Sequence, residues 1–160
     1  MRKFLLIALL TACTSLIGIG QLQLPLREVD LTVNGVRADS SMKEVNKLGK
    51  PTKVTKLGYD ECSGGYRRVL YLSGLEVGVL GNRSTTKANV ISLTITSSKW
   101  RIAPGVRIGA TRATLIRLFG RPVTSYPDRL EYVTKENLGG VTFHLRKGKL
   151  YRVEMMQTLC

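Results

Sequence analysis

The chain has 160 residues, 43% of them hydrophobic, with 25 Lys and Arg against 11 Asp and Glu and a formal net charge of +14. That apolar fraction excludes a disordered chain, and the length suits one domain or two small units sharing a core. Three cysteines and the single His144 leave too few ligands for the common zinc sites, so no metal or other cofactor is expected. The first element in chain order is a leader. Met1-Arg2-Lys3 supplies positive charge and Phe4 to Leu10 is an apolar run, the two parts of a secretory signal over residues 1–20. Thr11, Thr14 and Ser15 interrupt the run, which is marginal for a spanning helix.

Two stretches then share one pattern. Ala38-Asp39-Ser40-Ser41-Met42-Lys43-Glu44-Val45-Asn46-Lys47-Leu48-Gly49-Lys50-Pro51 and Gly109-Ala110-Thr111-Arg112-Ala113-Thr114-Leu115-Ile116-Arg117-Leu118-Phe119-Gly120-Arg121-Pro122 align without a gap. In that register Ser40 faces Thr111, Val45 faces Ile116 and Leu48 faces Phe119. Each reads as a short helix with a hydroxyl at its start, a buried stripe, and a glycine followed two residues later by proline at its stop. Ser41 with Glu44 makes a capping-box pattern.

Strand signals follow each helix. Residues 69–72 form an apolar run, Leu75, Val77 and Val79 alternate with Glu76 and Gly78, and Ile91, Leu93 and Ile95 alternate with Ser92 and Thr94. In the second copy the corresponding runs are 130–133, then Val141, Phe143 and Leu145, then Tyr151, Val153 and Met155. Extended segments at 29–33 and 100–108 precede the helices. The last hairpin is tight in the second copy, around Arg146-Lys147-Gly148-Lys149, and longer in the first. The expected fold class is therefore α+β: two tandem helix-plus-β-meander repeats, residues 27–98 and 99–160, with helices packed on one face of an antiparallel sheet.

The leader leaves two cuts open. Leu10-Thr11-Ala12-Cys13 resembles the lipobox of bacterial lipoproteins, which implies cleavage before Cys13 and lipidation of its thiol; Thr14 in place of Asp implies sorting to the outer membrane. Ordinary cleavage after Gly18-Ile19-Gly20 is the other reading. Either cut leaves Cys62 and Cys160, and two thiols in an oxidising compartment are expected to pair. The bridge would close a loop of about a hundred residues, roughly 4–5 kcal/mol by chain entropy.

The pattern Gly-x-Ser/Thr, then Val-x-x-Leu-Gly-x-Pro and a β-meander, is similar to the small outer-membrane lipoprotein family called SmpA/OmlA. A tandem pair resembles the β-lactamase-inhibitory protein architecture, with helices on one face of a concave sheet. The resemblance covers roughly residues 29–160 and implies an exported binding module. The first copy departs from the pattern with Ala38 where glycine is usual, and the second has Leu115 where an acidic residue is common.

No catalytic constellation is legible. His144 lies between Phe143 and Leu145 on the opposite strand face, and Asp60-Glu61 sits in a glycine-containing turn; a third reading, an enzyme built on these three, has no partner residues in the sequence. The expected function is a non-catalytic protein-binding module of the bacterial envelope, periplasmic or lipid-anchored, meeting an envelope or extracellular protein. Tyr66, Tyr71, Tyr132 and Tyr151 are the candidate sheet contacts. The alternative is a binder of anionic polymers or lipid headgroups through Lys43, Lys47, Arg112, Arg117 and Arg121 on the helices. Nucleic acid is not an expected partner of an exported chain, and contact with the membrane is expected only through a lipid anchor.

Overall fold

The structure, a computed structural model, describes residues 32–84, 87–102, 104–133 and 139–159. The leader with Cys13, the first residues of the segment at 29–33, and Cys160 lie outside the described residues.

Alternation of apolar and polar side chains sets the architecture. Strands β3 (Gly65–Leu72), β4 (Leu75–Gly81) and β5 (Ala88–Ile95) follow α1 (Met42–Asn46) and the short β1 (Lys53–Val54) and β2 (Gly58–Asp60). After α2 (Arg112–Phe119) come β6 (Thr124–Ser125), β7 (Arg129–Val133), β8 (Gly139–Arg146) and β9 (Lys149–Gln157). Among the described residues these nine strands form one sheet in the order β1-β3-β4-β5-β9-β8-β7-β6, with β2 also paired to β3. Every pair is antiparallel, and β5 and β9, the last strands of the two halves, meet at the centre. One face carries the core: Leu70, Val77, Leu93, Met155, Val141 and Tyr132 follow one another across six strands, each buried. Full burial of one such aliphatic side chain stabilises by about 1.5–3 kcal/mol, so this face dominates the energetics.

The expectation of an α+β fold with a helical layer is corrected here. The structure is mostly antiparallel sheet, and its two helices are five and eight residues long. The physical reason lies in the stops: Gly49 and Gly120 take positive φ angles of 120° and 77° so soon after the caps that little helix remains. Helix α1 buries Val45 alone, and α2 buries Leu115 and Phe119. Irregular segments supply much of the remaining cover, for Val33, Val36, Trp100, Ile102 and Val106 join the same core cluster. The segment at 100–108 is not a strand: it turns through Ile102–Val106, anchored by the Trp100 indole N–H donating to the Ser73 carbonyl at 2.9 Å.

The alignment of the two helix starts also shifts by one residue. The amide of Asp39 donates to Val90 and that of Val90 to Ser40, both at 2.9 Å; the amide of Gly109 donates to Leu150 at 2.7 Å and that of Leu150 to Ala110 at 2.8 Å. Ser40 thus stands where Ala110 does, and the caps Ser41 and Thr111 correspond. The left-handed position is filled by Asp39 (φ 64°) in one half and Gly109 (φ 96°) in the other, so Ala38 is not the glycine's counterpart. Val45 matches buried Leu115, not Ile116, which is 38% exposed. The glycine stops keep the original register because α2 runs longer before its stop.

Candidate functional site

The face opposite the core is organised by strand register into three stripes. Ser92, Met156, Gly140 and Val133 are successive cross-strand partners, making a small and apolar stripe. Beside it Thr94, Glu154, Thr142 and Glu131 line up on the same strands. A third stripe, Arg152, His144 and Arg129, is basic. Residues two apart on a strand share a face, which is why these stripes lie side by side.

The charged stripes hold each other. Arg129 Nε donates to Glu131 Oε1 at 2.6 Å, and Glu154 receives Arg152 on Oε1 at 2.5 Å and contacts His144 Nε2 through Oε2 at 2.9 Å. The Glu131 carboxylate beside it raises the pKa of Arg129 above its ordinary value. Met156 and Val133 are left 63% and 43% exposed. A groove of about 610 Å³ runs over the apolar and acidic stripes, and the end of β2 and the turn after it add Asp60 and Cys62 to its wall, with Leu159 on the same wall. That volume lies in the range of ligand pockets. The Asp60 carboxylate accepts the Ser63 amide at 3.0 Å, which holds its pKa below the usual carboxylate value.

The tyrosines do not form one contact surface. Tyr132 faces the core: it is 4% exposed, its hydroxyl donates to the Gly120 carbonyl at 3.1 Å, and burial pushes its pKa up to about 12. Its place as a sheet contact is corrected on that ground. Tyr66 shares the alternation of Leu70, on the core side of β3, and meets Tyr59 edge-on at 5.3 Å. Tyr71 is on the open face under Lys53, 5.5 Å away. Tyr151 is exposed at the β8–β9 bulge with Arg146 over its ring at 4.6 Å.

The helix cations divide likewise. Lys43, Lys47 and Arg117 are exposed, Arg121 is exposed with a partner of its own, and Arg112 is half-buried, donating to the Tyr126 carbonyl at 2.8 Å and the Ser125 hydroxyl at 2.5 Å. It ties α2 to β6. Glu61 is exposed in its turn, apart from the groove wall that Asp60 joins. Among the described hydrogen bonds none joins His144 to a hydroxyl or thiol, and no three metal-ligating groups gather. The arrangement presents fixed carboxylates beside exposed apolar surface, which suits recognition.

Sequence reading missed Glu131, Glu154, Met156 and Val133. Their outward position was legible from alternation, but their alignment into stripes depends on register between strands far apart in the chain. No protein-family model matches the chain, nor does any curated protein or solved structure.

Proposed function

We propose that the chain is an exported, non-catalytic protein-binding module of the bacterial cell envelope that meets its partner through the open sheet face. The observation that carries this is the groove itself: Met156 and Val133 stand 63% and 43% exposed on a hydrogen-bonded sheet, beside carboxylates already fixed by ion pairs. A rigid, partly apolar surface loses little entropy on binding. The leader supports export, and the likeness of the Val-x-x-Leu-Gly-x-Pro pattern to SmpA/OmlA supports a binding role.

The second reading is a binder of anionic polymers or lipid headgroups. Lys43, Lys47, Arg117 and Arg121 are exposed, which favours it. A photo-crosslinking residue placed at Met156 or at Lys47 in envelope extract separates the two. The first reading expects a discrete protein adduct at Met156, retained in high salt and abolished by Val133→Glu. Adducts at Lys47 alone, lost as salt rises, would favour the polyanion reading instead.

A further inference from the structure

The groove wall is charged in a way the whole chain is not. Lys and Arg outnumber Asp and Glu by 25 to 11, yet the charged residues on the groove wall are Asp60, Glu131 and Glu154 against Arg67 alone. The side chains that engage the two glutamates, Arg129, Arg152 and His144, lie in the next stripe, off the groove wall. They hold the carboxylates in place from the side. Glu154 has both oxygens engaged, whereas among the described residues Glu131 bonds Arg129 through Oε1 and Asp60 takes Ser63 through Oδ1. Glu131 retains an oxygen able to accept, and Asp60, which the Cys62 amide also approaches, adds its charge to the same wall. Their side chains need no reorganisation to do so, since their first bonds already orient them. The exposed apolar surface of Met156 and Val133 runs alongside.

We propose that the groove takes a cationic side chain, arginine or lysine, from a partner protein, with the residues flanking that cation resting on Met156 and Val133. This rests on the open face being the docking surface and names what that surface selects. The chemistry follows from the stripes: a guanidinium or ammonium meets the Glu131 oxygen that Arg129 leaves open, with the Asp60 charge on the same wall, and apolar neighbours cover the adjoining stripe. An acidic segment would instead leave Asp60 and Glu131 facing like charge, despite the positive charge of the chain as a whole.

The test is a titration of the purified full chain, ¹³C-labelled at methionine methyls, read at the Met156 signal. The probe is the capped tripeptide acetyl-Leu-Arg-Leu-amide, with its citrulline and glutamate counterparts as controls. The arginine peptide is expected to bind about tenfold more tightly than the near-isosteric, neutral citrulline peptide, the scale of one charged hydrogen bond. Glu131→Gln and Asp60→Asn should each remove much of that preference and leave citrulline binding unchanged. Equal binding of arginine and citrulline, or tighter binding of the glutamate peptide, overturns the proposal. So does a Met156 shift that tracks protein concentration alone, which would assign the groove to a second copy. Loss of partner crosslinking in Val133→Glu without arginine preference would leave the docking face standing and remove only the cation. Arginine preference with crosslinking unaffected would do the reverse.

Discussion

In the half built from α1 and β1–β5 the buried side chains of helix and strands are all aliphatic, Val45, Leu70, Leu72, Leu75 and Val77 among them. In the half built from α2 and β6–β9 three rings take the equivalent place: Phe119, Tyr132 and Phe143 meet with centroids 5.0–5.9 Å apart. Helix α2 reaches Phe119 and so brings it to the other two, whereas α1 stops at Asn46 and Leu48, just beyond it, packs against the core only partly buried. Aliphatic side chains pack without angular preference, whereas rings pack edge to face and depend on each other's position. One side of the sheet is therefore filled by interchangeable parts and the other by interdependent ones.

The largest test of that contrast compares Phe143→Ala with Val77→Ala, both residues being 0% exposed. The first should cost about 4 kcal/mol, since it opens a cavity that two neighbouring rings cannot fill, and the second about 2 kcal/mol. Urea unfolding measures both. Equal costs would show that the ring cluster is no more constrained than the aliphatic one.

The proposed Cys62–Cys160 bridge comes next in size, and would tie the β2–β3 turn of the first half to the chain end that follows the second. Cys62 shares the groove wall with Leu159, the neighbour of Cys160, which supports the pairing. Cys62→Ser is expected to cost about 3 kcal/mol under oxidising conditions and almost nothing in reductant. A penalty that persists unchanged in reductant would sink the bridge and leave the halves joined by the sheet alone.

Much of this was legible from the residues. The alternation of Leu75, Val77 and Val79, or of Tyr151, Val153 and Met155, marks strands because side-chain direction has a period of two. The tight hairpin at Lys147-Gly148 was legible too, and both residues take positive φ, 50° and 72°, as a two-residue turn requires. Strands β1, β2 and β6 were not, because they are two or three residues long and mostly exposed, so no apolar period exists to find. The sequence overstated the helices because caps and stops declare where a helix begins and ends, not how much core it covers. It misplaced their mutual alignment because Asp39 and Gly109 do one conformational job with different side chains. The stripes of the open face were hidden for a third reason: Glu154 and Glu131 become neighbours of Thr142 only once β7, β8 and β9 pair.

The smallest effects distinguish how the two halves begin their helices. In α2 the Thr111 hydroxyl accepts the Thr114 amide at 3.2 Å, so Thr111→Ala should cost about 1 kcal/mol. In α1 the work falls to a carboxylate: Glu44 Oε2 accepts the Ser41 amide at 2.7 Å and its hydroxyl at 3.0 Å. The Ser41 amide is the main reason the Glu44 pKa falls below its ordinary 4.5. A carboxyl depressed in the folded state stabilises the fold above its unfolded pKa, and that contribution fades as pH drops from about 4.5 through the folded value. Replacing Glu44 by Gln should therefore lower Tm slightly at pH 7 and progressively less below pH 4.5, while the Thr111→Ala penalty stays level because no titrating group is involved. Thermal unfolding of both variants against the parent chain at pH 7 and pH 3 reads the difference directly. A Glu44→Gln penalty as large at pH 3 as at pH 7 would mean that shape, not charge, caps the first helix, and the two halves would then start their helices by the same physics.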